Sequence, residues 1–502
     1  MFVRKKPNKS GVISIQIIDK SSGNYKLIKT IGSSSDSKTI EALFLEGKRW
    51  IDNYTGQQEL DFSQNDYANT ISKQITSIKT VGIELLITKL FNEIGFNKLN
   101  SKIFRLLIIS KLSSPSSKLK TIEYLEQYHH IDIGKDQIYR YLDKLYKEQK
   151  EIIQQISYEH TLKILDGKIS VVFYDVTTLY FQIDDEDQIR KRGFSKEGKH
   201  QNPQIVLGLL VSVDGYPLAY EIFEGNKFEG HTMLTVIDRF KNKYNIDKLV
   251  IVADSGLLSS QNIEELQDKG YEFILGARIK NEKREIKDQI LSLNLKNGES
   301  KIIEKEETLK LIISYSNKRA SKDQYNRKKG IIRLQKQLKS GKLTKSHINN
   351  RGYNKYLIMD GNVKISIDME KFNKDAKWDG MKGYITNTDL SKEDIIENYG
   401  HLWKIEKAFR ISKHDLKIRP IYHRLQRRIE AHITINFVAY KIYKELERQL
   451  KEKECRLSPE KIINIAKTIY QIEIRNPHTN RLEKVNLITN KHQKLLIDLF
   501  EI

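Results

Sequence analysis

Two short apolar runs, ISVVFY ending at Asp175 and KLVIVA ending at Asp254, constrain this chain more than any other feature. Each is an unbroken stretch of β-branched and aromatic residues, which reads as a core strand with a carboxylate emerging at or near its C-terminal end. Around them, QIVLGLLVSVDGYPLAYEIF reads as two strands joined at Asp214-Gly215, and YEFILGA reads as a further strand. Helical spacing fills residues 229–243 and 259–268. The resulting order, three strands, helix, strand, helix, strand, predicts an α/β layer with a mixed sheet.

The rest of the chain is organised around that layer. A length of 502 residues suggests two to four domains, and 39% hydrophobic residues are enough to build them. Residues 12–31 predict a hairpin around SSGN, and residues 39–159 turn helical. Within them IDIGKDQIYRYLDKLYKEQKEI fits two readings, a helix-turn-helix with a basic recognition helix or an ordinary helical bundle with a solvated face. From Lys318 to Lys355 thirteen Lys and Arg stand against one acid, Asp323, in a stretch that interrupts the core pattern. The expected divisions are 1–160, an N-terminal hairpin plus a mainly helical DNA-binding region; 161–280, the first part of the core; 281–385, a β-rich insertion subdomain; 386–445, a core helix and its successor; and 446–502, a helical C-terminal region.

A formal charge of +22 suits a polyanionic partner, nucleic acid foremost, although Lys-, Ile- and Asn-rich composition of the kind AT-rich coding produces accounts for part of it. Cys455 is the only cysteine, which excludes a disulfide framework and a cysteine-ligated zinc site and suits a reducing cytosol. The start, MFVRKKPNKSG, lacks a signal peptide's apolar segment, so a cytoplasmic protein is expected. A phosphate loop of the G-x-x-x-x-G-K-[ST] type is absent, which argues against an ATP-driven motor.

An isolated strand-end aspartate is commonly a turn former or helix cap. Two of them at sheet-strand ends, where open sheets place ligands, are together candidate oxygen donors to magnesium. The third acid is Glu406, in YGHLWKIEKAFRISK. Counted at about 100° per residue, Tyr399, Trp403, Glu406, Arg410 and Lys413 share one helix face, with Leu402, Ile405, Phe409 and Leu416 on an adjacent apolar stripe. Glu406 and Arg410 make a plain i, i+4 ion pair on one reading; on the other, the acid joins the aspartates and the bases and aromatics beside it grip a nucleic acid. Three acids can hold two divalent ions for in-line attack at phosphorus.

With these residues in view the sequence resembles a DDE-type insertion-sequence transposase with an RNase H-like catalytic core, in the branch marked by the signature Y-x2-R-x3-E-x6-K. The signature falls on Tyr399, Glu406 and Lys413, with Leu402 at the arginine position and Arg410 or Lys404 as candidates to replace it. FYDVTTLYF, VIVADSG and RPIYHRLQRRIEAHI are similar to the family's contexts, and the resemblance covers about residues 165–445. It implies catalytic and metal-binding roles for Asp175, Asp254 and Glu406, with two Mg²⁺ ions for which Mn²⁺ substitutes. It implies DNA contacts from Tyr399, Arg410, Lys413, Trp378 and Arg319, with Trp378 as an aromatic on which a flipped base stacks. Thr177 and Thr178 read as strand residues or as phosphate contacts. His231, His423 and His432 lack a metal-ligand spacing. The partners implied are the terminal inverted repeats of the element, target DNA and a second copy of the chain in a synaptic dimer, at the nucleoid. The activity implied is cut-and-paste transposition; the alternatives are an inactive DNA-binding descendant and an RNase H-like nuclease.

Overall fold

Asp214-Gly215 makes the turn that its sequence predicts: Gly215 adopts a φ of 80°, open to glycine at no steric cost, and the strands on either side pair antiparallel. That hairpin belongs to a mixed sheet of eight strands in the computed structural model, which describes residues 1–21, 23–54, 72, 74–195, 198–257, 259–360, 364–476 and 479–502. The described residues form two units, Met1–Ser77 with Glu473–Lys484, and Ile78–Ile472 with Val485–Ile502.

In the first unit the expected hairpin is present and gains a third strand. Phe2–Pro7, Ile13–Asp19 and Lys26–Ser34 form an antiparallel sheet with Ile13–Asp19 in the middle. Ile15, Ile17 and Ile18 are buried there, beneath the helix Ser37–Tyr54. The helices Gly82–Ile94, Lys102–Ser113, Lys118–His129, Lys135–Lys144 and Lys150–Ile164 lie in the second unit, so the structure divides residues 1–160 at about Ser77. Ile138, Tyr141 and Leu142 of Lys135–Lys144 are buried in the main core against a long C-terminal helix, the packing of a bundle helix.

The large sheet comprises β1 (Val171–Tyr180), β2 (Gln204–Ser212), β3 (Pro217–Glu224), β4 (Val250–Ala253), β5 (Glu272–Ala277), β6 (Ser300–Glu304), β7 (Lys310–Tyr315) and β8 (Met381–Thr386). Their spatial order is β6-β7-β8-β5-β4-β1-β2-β3. β4 runs parallel to β1 and β5, and the other pairings are antiparallel. The helices Met233–Tyr244 and Ser260–Asp268 follow β3 and β4, as the sequence order predicts.

Both faces of the sheet are covered, which is why β1 reads as an unbroken apolar run. Alternation sends Phe173 and Leu179 into one core and Val172, Tyr174 and Val176 into the other, where Tyr174 Oη donates to Thr232 Oγ1 at 2.9 Å. The first core also holds Ile405, Ala408 and Phe409, the apolar face of the segment bearing Glu406.

The segment 281–385 departs from the expected β-rich insertion subdomain. β6 and β7 extend the main sheet through β8, and Leu311, Ile312 and Ile313 divide between its two cores. The remainder includes a long basic helix, α1 (Asn317–Lys339), with the short pair Leu357–Asp360 and Lys364–Ile367 around its own small core, and the shorter helices Arg284–Ser292 and Met369–Ala376. Consecutive apolar residues in LKLIISYS demand cover on both sides, and joining the main sheet provides it. Among the described residues no helix is long and apolar enough to cross a membrane.

Candidate active site

Parallel pairing of β1 with β4 sets the two aspartates side by side. The register runs from Val171 opposite Val250 to Tyr174 opposite Ala253, so the next residue along each chain is an aspartate. Asp175 is half-buried and shares the face of Phe173, while Asp254 is exposed just beyond the end of β4. Backbone N–H groups fix one oxygen of each: Val176 N donates to Asp175 Oδ1 at 2.8 Å, and Ser255 N donates to Asp254 Oδ1 at 2.7 Å.

The segment carrying Glu406 is two helices rather than the single core helix expected at the start of 386–445. α2 (Lys392–Gly400) packs on β4 and β5, and α3 (Trp403–Arg410) packs on β1. Between them the hydrogen bonds tighten to i−3, from Leu402 N to Tyr399 O and from Ile405 N to Leu402 O. After Arg410 they widen to i−5, with Leu416 N donating to Ile411 O. The shared face predicted for Tyr399, Trp403, Glu406, Arg410 and Lys413 is therefore broken at both ends.

Tyr399 is only 5% exposed and lies edge-on to Tyr384, with ring centroids 4.9 Å apart. Its hydroxyl donates to Asp254 Oδ1 at 3.1 Å. Burial first, and then the Asp254 charge, push the phenol well above its ordinary value, so it remains a donor. This corrects the expectation of an exposed aromatic beside Trp403. Trp403 is half exposed, with the Lys407 ammonium 5.9 Å from its ring centre.

Glu406 and Arg410 are exposed and Lys413 is half-buried. Leu402, at the signature's arginine position, is 6% exposed and packs in the main core. Lys404 donates to Val213 O at 2.6 Å, which commits it to the β2–β3 turn. Trp378 packs half-buried against the second core, and Arg319 pairs with Asp323 at 3.7 Å on α1. Thr177 and Thr178 are buried strand residues. His423 and His432 stack edge-on at 5.6 Å, and burial pushes both imidazoles down, His423 to about 4.

Sequence reading missed Lys382, Tyr384 and Gly276. Lys382 and Tyr384 stand at i and i+2 of β8, so their side chains share a face; the alternation in MKGYIT was the available signal. The Lys382 ammonium lies 4.2 Å from the centre of the Tyr399 ring. Burial first, and then Arg319, push its pKa down, while Asp254 and Glu406 pull it up. Lys382 and Tyr399 thus each feel the charge of both Asp254 and Glu406.

The donor chemistry suits a hard divalent cation: the candidate ligands are carboxylate oxygens, and Asp254 Oδ2 accepts no hydrogen bond among the described residues. The structure nonetheless gathers the acids incompletely. Among the described residues no three His, Cys, Asp or Glu side chains form a group able to hold a metal ion. The two aspartates adjoin in register, and the charge of Glu406 acts on the same tyrosine and lysine as that of Asp254.

A family model described as a transposase DDE domain matches residues 166–442, more than half of the chain. The chain belongs to the family of DDE transposases. No curated protein matches it. Among solved structures, a piggyBac transposase synaptic complex with hairpin DNA is similar at 10% identity and a TM-score of 0.39, covering 77% of this chain and 76% of the other. A Mos1 transposase paired-end complex with the left transposon end matches at 10% identity and a TM-score of 0.16, over 34% of this chain and 58% of the other. A Mos1 paired-end complex with Mn matches at 12% identity and a TM-score of 0.15, with the same coverage.

Proposed function

We propose that this transposase cuts DNA at the ends of its own insertion sequence and joins the freed 3′ ends to target DNA, with Asp175, Asp254 and Glu406 as its catalytic acids. The observation that carries the proposal is the pairing of β1 with β4, which brings Asp175 and Asp254 to neighbouring positions, with α3 packed against β1. The acids would hold two magnesium ions, with manganese able to substitute. When bound, the metal would polarise the phosphodiester as a Lewis acid and lower the pKa of the attacking hydroxyl.

The chain's own residues do the rest. Tyr399 orients the Asp254 carboxylate through its hydroxyl. Arg410, Lys413 and Arg319 grip backbone phosphates that the acids alone would repel, and Trp378 stacks a base. The core is RNase H-like, in the branch with the tyrosine, arginine, glutamate and lysine signature. The partners are terminal inverted repeats, target DNA and a second copy of the chain, met at the nucleoid in the cytoplasm.

The test is cleavage of labelled duplex carrying the inverted repeats that bracket the gene, in Mg²⁺ or Mn²⁺. Asp175→Ala and Glu406→Ala are expected to lose cutting by at least about 10²-fold while still binding the duplex. Cutting at the wild-type rate by either variant removes the acid site. One observation favours a second reading, a catalytically inactive DNA-binding descendant: Leu402 is buried where the signature has an arginine. Binding of the repeats without cutting by the unaltered protein would establish that reading.

A further inference from the structure

Lys382 occupies an unusual place for a lysine. Its ammonium sits 4.2 Å from the centre of the Tyr399 ring and 5.4 Å from that of Tyr384. Tyr399 in turn donates to Asp254, so a single aromatic ring separates the cation from the carboxylate. Lys382 also lines a cavity of about 560 Å³, together with Arg278, Arg319, Tyr353 and Trp378. The acid site and this cationic, aromatic cavity therefore meet at one side chain.

A half-buried ammonium held for structural reasons normally has a carboxylate partner. The other buried or half-buried bases of the cavity follow that rule: Arg327 pairs with Asp379, and Lys355 with Asp375. Exposed Lys280 also reaches Asp375, at 3.5 Å. Lys382 makes no ion pair and no hydrogen bond among the described residues. Packing alone is a poor account of it, because an apolar side chain of the same length would cover both rings without desolvating a charge. What the position lacks is an anion in direct contact, since the three aspartates that line the cavity are paired with Arg319, Arg327 and Lys355.

We infer that Lys382 is a substrate-contacting residue, its ammonium binding a backbone phosphate oxygen of the DNA strand that passes from the acids into the cavity. The inference rests on the acid site proposed above. It has two consequences of opposite sign. Removing the cation takes away one phosphate contact, which weakens DNA binding and lowers its salt dependence. The same removal relieves repulsion on a divalent ion at Asp254, which tightens metal binding when no DNA is present.

The experiment uses full-length Lys382→Met and Lys382→Gln, with melting curves to establish that each is folded. Mn²⁺ alone is titrated by electron paramagnetic resonance, and a labelled duplex of arbitrary sequence is titrated across a salt series without metal. Both variants are expected to bind Mn²⁺ on the order of tenfold more tightly. Both are expected to bind the duplex several-fold more weakly, with a salt slope shallower by about one. Lys382→Arg, which keeps a cation, is expected to restore the slope. An unchanged salt slope in both folded variants, or Mn²⁺ affinity that stays level or falls in both, overturns the inference. Asp254→Asn separates the two levels of the argument: if it leaves Mn²⁺ affinity unchanged, the acid site has failed, and the salt slope still tests the phosphate contact by itself.

Discussion

A Cβ on Gly276 would collide with the Tyr399 hydroxyl and come within 3.0 Å of Ser255 N. The strand YEFILGA thus leaves a slot at its glycine, and Tyr399 fills the slot to reach Asp254. The hydroxyl and Ser255 N both donate to Asp254 Oδ1, so each helps to fix where the carboxylate points. A hydrogen bond to an ionised group contributes about 1.5–3 kcal/mol. Tyr399→Phe keeps the ring, its packing on Tyr384 and the seat of Lys382, and loses that bond alone. We expect cleavage to slow by about tenfold, with the melting temperature lowered by only a few degrees and the KM for DNA unaltered. Gly276→Ala should cause the same catalytic loss with about 1–3 kcal/mol of destabilisation, because the tyrosine must move. Cleavage at the wild-type rate by Tyr399→Phe would show that Asp254 is held without it.

The helices around Glu406 mark how far one-dimensional reading extends. The stripe Leu402, Ile405, Phe409 and Leu416 is buried as its spacing predicts, since each residue is placed by its nearest turns. The polar face is lost because a count at about 100° per residue assumes i−4 bonds throughout. The tight bonds before Trp403 and the wide ones after Arg410 turn Tyr399 inward. The aspartates were legible because an apolar run stopping at a carboxylate is a local signal. Lys382 was not, because β8 finds its partner β5 about 110 residues upstream, and that pairing, on the side of β4, brings the lysine to the acids. A similar convergence sets His423 and His432 in the field of Lys111 and Lys118, from two other helices, and His423 in that of Arg428 as well. His432 Nε2 donates to Ile418 O at 2.9 Å, and burial keeps both rings neutral. His423 is held down to about 4, so stability is full above the ordinary imidazole value and is lost as pH falls toward about 4. Between about pH 6.5 and 5 the loss from His423 is about 2 kcal/mol. Urea midpoints at these pH values should converge in His423→Gln, and an equal pH slope in variant and wild type would exclude this source.

Across the whole molecule the open question is whether a net charge of +22 is organised for DNA or is a by-product of composition. Many of the bases are already committed: Lys150 to Glu430, Arg427 and Arg428 to Asp143, and Arg448 to Glu445. Such pairs release few counterions when DNA arrives, because their charge is already neutralised. The exposed bases of α1 other than Arg319, with Arg410 on α3, are one surface on which a duplex can displace its own counterions. If they act together, about eight phosphates are neutralised, and the slope of log affinity against log salt is about −7. Anisotropy of a labelled duplex from low to physiological salt measures that slope directly. Replacing Lys322, Lys328 and Lys329 of α1 with Gln should make it shallower by about three, one for each contact removed. Charge scattered by composition predicts something different: a slope near −2 in the parent protein, and no change in the variant, since no three residues would matter more than any others.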